Sequence, residues 1–171
     1  MSLNDNIGSV LNGADQLANG AAPDLGAELI LRSFAPYLMN RIMGRYNASL
    51  RDEMAELGLT TPQMRALAVL AVIEAPLIRE LAVYTVTDPS TLSRALDQLQ
   101  ADGLIRRETD AEDSRAVRVF MNPTGRAAFN RLWPQMAAAE ARMFRGISNE
   151  DRRSFIATLQ TMLTNIRKHE I

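Results

Sequence analysis

A chain of 171 residues with nearly balanced charge, 19 Lys and Arg against 20 Asp and Glu, fits one folded domain and carries no bulk attraction for polyanions. It has no cysteine and one histidine, His169 near the end of the sequence, which excludes disulfides, thiol redox chemistry and a nitrogen or sulfur metal site. No apolar run reaches bilayer length, and residues 1–23 lack a signal-peptide pattern, so the sequence reads as a soluble cytoplasmic protein.

Residues 1–23 are rich in Asn, Gly, Ala and Asp without an apolar period, and are expected to form a mobile N-terminal arm. From Asp24 to Leu57 apolar residues recur at helical steps through Leu25, Leu29, Phe34, Leu38, Ile42, Met43, Tyr46, Leu50 and Met54. Pro36 is expected to kink this helix rather than end it, because the stripe continues beyond it. Gly58 is a helix stop. Thr61-Pro62 then supplies an N-cap and a first-turn proline for a second helix, running to about Glu74. After Pro76, the residues Leu77, Ile78, Leu81 and Ala82 predict a short third helix ending near Tyr84. Asp88-Pro89 repeats the cap signal and opens a fourth helix to Ala101, closed by Gly103.

Beyond Gly103 the period changes. Leu104-Ile105 and Ala116 to Met121 read as antiparallel strands joined by the hairpin TDAEDSR. Asn122-Pro123 opens a long helix carrying Phe129, Leu132, Trp133, Met136, Met143 and Phe144. Ser148 with Asp151 marks the start of a last helix, which places Phe155, Ile156, Leu159, Met162, Leu163 and Ile166 on one face. Short helices followed by a two-stranded hairpin, flanked by long helices, form a winged helix-turn-helix. The fold class is therefore mainly α with a small β-wing.

In this arrangement the fourth helix is the recognition helix. Leu92, Ala95, Leu96 and Leu99 share its buried face and leave Ser90, Ser93, Arg94 and Asp97 outward. Small hydroxyls near its start, Ser90, Thr91 and Ser93, allow close approach to a major groove, where Arg94 can reach a guanine edge or a phosphate. An enzyme is disfavoured. His169 alone builds no catalytic triad, no GxxxxGK phosphate loop occurs, and Asp110 with Asp113 lacks the further oxygen ligands a divalent cation needs, so no catalytic residue, metal or cofactor is assigned.

The motifs GLTTPQMRAL (58–67), STLSRALDQL (90–99), DGLIRRETDAEDSRAV (102–117) and NPTG (122–125), in that order, resemble the MarR family of bacterial transcription regulators. The resemblance implies a winged helix-turn-helix DNA-binding region at 58–122, with dimerisation helices at 24–57 and 123–171, in a single domain over 24–171. It implies a homodimer, held by the faces around Trp133, Phe144, Phe155 and Leu159, that binds double-stranded DNA at a pseudo-palindromic operator and serves as a ligand-responsive repressor. The family's D-x-R wing element is matched by Asp113-Ser114-Arg115, with Arg115 as the minor-groove probe and the aspartate bracing it or a neighbouring arginine. A pocket for a small aromatic or phenolic effector is implied near Tyr37, Arg41, Tyr46, Met64 and Arg65.

The chain departs from the family pattern at four places. Ser114 replaces a second wing arginine, Thr85 stands at a usually apolar position, and Asn122 replaces the threonine before Pro123. Val86 stands where many relatives have glycine; a left-handed valine is strained, so a longer or differently shaped turn is expected there. The alternative to a DNA reader is a winged-helix module that binds another regulator protein, for which the acidic wing gives mild support.

Overall fold

The computed structural model describes residues 31–166. The expected arm at 1–23 and the apolar positions Leu25 and Leu29 lie outside the described residues. The chain divides into two compact units between Ala48 and Ser49.

In the first unit the expected continuous helix is broken at Phe34, and α1 (Ala35–Ser49) starts afresh there. Amides of Tyr37 and Leu38 both donate to the Phe34 carbonyl, at 3.0 and 3.1 Å, as the first bonds of a new helix. Pro36 falls in that first turn, where its missing N–H costs nothing, whereas in mid-helix its ring would strike the carbonyl four residues back. The proline therefore ends the preceding helix instead of kinking it. No residue of α1 is buried, and Leu38, Ile42 and Met43 are 38–46% exposed.

The second unit begins with a further break. Leu50, fully buried with φ −102° and ψ 0°, separates α1 from α2 (Arg51–Glu56), so the run read as one helix to Leu57 ends in two pieces. Then follow α3 (Thr61–Leu70), α4 (Ile78–Thr85), α5 (Pro89–Ala101), β1 (Ile105–Thr109), β2 (Val117–Met121), α6 (Pro123–Met143) and α7 (Asn149–Ile166). Helix α3 is capped by Thr60, not Thr61: the Thr60 amide and hydroxyl both donate to Gln63 Oε1, at 2.7 and 2.8 Å. It also stops at Leu70, four residues before the expected Glu74, because the segment after it turns sharply through Ala75 at φ 50°.

Strands β1 and β2 pair antiparallel from Ile105↔Met121 to Thr109↔Val117. A third extended segment, invisible in the sequence pattern, joins them: Leu77 bridges to Arg118, and the Val119 amide donates to the Pro76 carbonyl at 3.0 Å. The wing is thereby stitched to the turn that precedes α4. Leu67, Leu81, Leu92, Leu96, Leu99, Ile105, Val119 and Leu132, each at most 1% exposed, make one core from α3, α4, α5, the sheet and α6.

The NPTG segment fixes the start of α6 against the turn after α5. Asn122 Nδ2 and Thr124 Oγ1 donate to the Gly103 carbonyl, at 3.0 and 2.6 Å, and the Asn122 amide donates to Leu104 O at 2.9 Å. Asn122 thus occupies the expected cap position, but its side chain serves that turn and not the helix's own amides. Gly125 is obligatory for this approach, since a Cβ there would lie 2.2 Å from Leu104 O. At the start of α7 Ser148 Oγ accepts from the Asp151 amide at 3.1 Å, as the capping signature predicts. No residue of α7 is buried: Phe155, Ile156, Leu163 and Ile166 are 38–73% exposed. Among the described residues no helix is long and apolar enough to cross a membrane, and no three potential metal-ligating side chains cluster.

Candidate DNA-binding interface

The turn between α4 and α5 keeps a standard helix-ending shape despite its sequence. Val86 takes the left-handed conformation, φ 49° and ψ 50°, while the Thr87 amide donates to Ala82 O at 3.3 Å and the Val86 amide to Val83 O at 3.2 Å. This is the 6→1 and 5→2 bonding of a Schellman motif. The expected longer or reshaped turn is therefore not found; the conformation is retained at the cost of local strain. The side chain meets little opposition there, being 83% exposed. Thr85, at the usually apolar position, is 2% exposed, and its hydroxyl donates to Leu81 O at 2.8 Å, so the polar group is satisfied inside its own helix.

From this turn α5 starts at Pro89, capped by Asp88, whose Oδ1 accepts from Ser90 Oγ at 2.7 Å and from the Thr91 amide at 2.9 Å. Those hydrogen bonds, the Ser90 hydroxyl foremost, hold the Asp88 carboxyl far below the usual carboxylate range. The cap is thus charged at neutral pH and sits where the helix dipole favours it. Leu92, Ala95, Leu96 and Leu99 are buried as the sequence predicts, and Ser90, Ser93 and Arg94 are exposed, with Thr91 half-buried. Arg94 makes no ion pair among the described residues, its Nε donating only to Ser90 O at 3.4 Å. It lines an open groove of about 510 Å³ with Thr91, Gln98 and the start of α3 at Thr60 and Gln63. Asp97 on the same helix is taken up by Arg107 of β1, whose Nη2 reaches it at 2.6 Å while Nε donates to Gln100 Oε1 at 2.8 Å. The one acidic group of the outward face is therefore paired, and the recognition helix is bolted to the wing sheet by a residue the sequence did not single out.

In the wing the roles of the acids differ from the expected ones. Asp113 Oδ1 accepts from the Arg115 backbone amide at 3.0 Å, and the Arg115 guanidinium is exposed with no ion pair among the described residues. Asp113 therefore shapes the loop at Arg115 without holding its charged end. The buried carboxylate is that of Asp110, 8% exposed, which accepts from the amides of Glu112 and Asp113 at 3.0 and 2.9 Å and pairs with Arg118 Nε. The two amides, Asp113's first, lower its pKa, and Arg118 adds to the effect. No local signal separates Asp110 from its acidic neighbours, because its burial depends on hairpin register.

The remaining predicted residues fall in the two units separately. In the first, Arg41 lies 5.7 Å from the Tyr37 ring and Tyr46 is half-buried. In the second, Met64 is core at 3% exposure and Arg65 donates to the Thr85 carbonyl at 3.4 Å, beside the strained turn.

The architecture and this sequence have known counterparts. A crystal structure of a MarR-family transcriptional regulator from Silicibacter pomeroyi is 56% identical with a TM-score of 0.80, covering 86% of this chain and 99% of that one. The chain belongs to the MarR family. The MarR family model itself matches residues 57–116, from the end of α2 into the wing. The transcriptional repressor IacR of Pseudomonas putida is 22% identical over 133 residues, 78% of this chain and 80% of its own. Bordetella bronchiseptica BpsR, whose DNA binding is regulated by 6-hydroxynicotinic acid, has a TM-score of 0.65 at 24% identity, covering 74% of this chain and 96% of its own. As a MarR-family member the protein is a DNA-binding transcription regulator.

Proposed function

We propose that this MarR-family protein is a homodimeric, ligand-responsive repressor whose α5 helices enter successive major grooves of a pseudo-palindromic operator. The observation that carries the reading is the outward face of α5, where Ser90, Ser93 and Arg94 are exposed on a helix fixed at both ends by Asp88 and Arg107. A rigid helix presenting small hydroxyls and one free guanidinium suits bidentate guanine contact, whereas an apolar protein-docking face would need large side chains there. Arg115 is the minor-groove probe of the wing, with its acids limiting bulk phosphate affinity.

Dimerisation is supported by α7, which leaves Phe155, Ile156, Leu163 and Ile166 in water in a single chain. A contiguous apolar helix face of that length is a liability unless another copy covers it. For the effector, a small aromatic or phenolic acid is the class suggested by BpsR. Selection of bound sequences from random duplex DNA tests the function. The expected product is a palindrome with half-sites about one helical turn apart, bound with an affinity that falls steeply as salt rises. Absence of enrichment, with binding to protein partners instead, would overturn the reading.

A further inference from the structure

Arg115 stands on a loop tied to the body of the winged unit by a chain of hydrogen bonds that starts 43 residues earlier in sequence at Ala75, counting to Arg118. Arg118 Nη1 donates to the Ala75 carbonyl at 2.9 Å, and its Nε pairs with Asp110 Oδ2. Asp110 Oδ1 then takes the amides of Glu112 and Asp113, and the Asp113 carboxylate takes the amide of Arg115 at 3.0 Å. The links end on backbone, on the buried Asp110 carboxylate or on the exposed Asp113 carboxylate, and none uses the Arg115 guanidinium. Ala75 is itself fixed: it precedes Pro76 and Leu77, which pair with Val119 and Arg118 and lead directly into α4.

We propose that Asp110 and Arg118 are positioning residues for DNA reading, which lock the wing loop to the turn before α4 so that Arg115 is presented at a fixed place relative to the helix-turn-helix. This rests on the reading of Arg115 as the minor-groove probe. The physical reason is entropic. Residues 111–115 form no strand bonds; besides the Ala116 amide on Asp113 O and the Arg115 amide on the Asp113 carboxylate, the Asp110 carboxylate is what ties them to the sheet, so without it the loop gains freedom that must be frozen again on docking. A buried acid that satisfies two loop amides and one guanidinium removes that cost in advance, and Arg118 carries the resulting rigidity to the frame that holds α4 and α5.

The chain's lack of cysteine gives a clean test, because Ser114→Cys supplies a single site for a spin label on the wing. Label mobility is measured in free protein, and affinity on duplexes with AT-rich or GC-rich flanks, for the wild type, Asp110→Asn, Arg118→Lys, Arg115→Ala and Asp110→Asn/Arg115→Ala. Lysine keeps the charge at 118 but cannot span Asp110 and Ala75 together, so it serves where the asparagine variant fails to fold. Expected are a mobilised label in Asp110→Asn and in Arg118→Lys, each with affinity on AT-rich flanks reduced about tenfold, the scale of re-freezing one loop residue. Affinity on GC-rich flanks should be nearly unchanged, and the double variant no weaker than Arg115→Ala. A label as immobile as in the wild type, or a mobile label with the flank preference intact, would overturn the proposal. If Arg115→Ala keeps the wild-type flank preference while the label is mobilised in the Asp110 and Arg118 variants, the minor-groove reading of Arg115 fails and the lock stands.

Discussion

Val86→Gly should make this protein more stable, and the size of the gain follows from one dihedral angle and one exposure. Val86 holds φ at 49°, a conformation that costs an L-residue about 1–2 kcal/mol, and more readily so for a β-branched one. Its side chain is 83% exposed, so truncation sacrifices almost no burial. Against the relief stands the greater freedom of glycine in the unfolded chain, about 0.4–1 kcal/mol. The difference leaves a net stabilisation of about 0.5–1 kcal/mol, a rise of about 1–4 °C in Tm for a chain of this size. Urea unfolding followed by far-UV circular dichroism, at one fixed protein concentration, reads it as a higher midpoint with an unchanged slope. Val86→Ala, which removes the branch but keeps a Cβ, should fall between the two. A midpoint lowered by the glycine would mean that the valine side chain makes a contact worth more than its strained backbone costs, contrary to this expectation.

Gly125→Ala should act in the opposite sense, destabilising by about 1–3 kcal/mol, since its Cβ meets the Leu104 carbonyl at 2.2 Å and α6 must back away from the turn it clamps; a neutral midpoint would contradict that packing. Asp110 has a lowered pKa, so its contribution to stability is present above about pH 4, the unfolded carboxylate range, and is lost as the pH falls below it. The stability gap between wild type and Asp110→Asn should accordingly narrow on acidification, and a gap constant from pH 6 to pH 3 would rule this out. Deleting the residues after Ser148 removes α7 and should lower dimer mass and operator affinity together, as sedimentation and binding of the same sample would show; a stable, fully active dimer would place the interface elsewhere.

The parts legible in the sequence are those set by short-range chemistry. Asp88-Pro89 and Asn122-Pro123 place the starts of α5 and α6 at Pro89 and Pro123, and the outward face of α5 follows from Leu92, Ala95, Leu96 and Leu99. Where two equivalent residues compete, pattern is not enough: Thr60 and Thr61 are both good caps, and the choice falls to Gln63 reaching back to Thr60. The break at Leu50 is hidden because apolar spacing continues across it. In the site, the D-x-R motif draws attention to Asp113, yet the carboxylate with the buried, multiply bonded position is Asp110. Neither its burial nor its partner Arg118 is a local property; both depend on the β1–β2 register and on the distant Ala75 carbonyl. Arg107 escaped notice for the same reason, its partners Asp97 and Gln100 lying on another element.

Whether α5 reads base sequence through Arg94 is decided by measuring Arg94→Ala on the selected operator and on random duplex at the same salt. A guanine contact predicts a loss of about 1–3 kcal/mol on the operator and little on random DNA. Equal weakening on both would make Arg94 a phosphate contact and contradict the assignment of α5 as the base-reading helix through that residue.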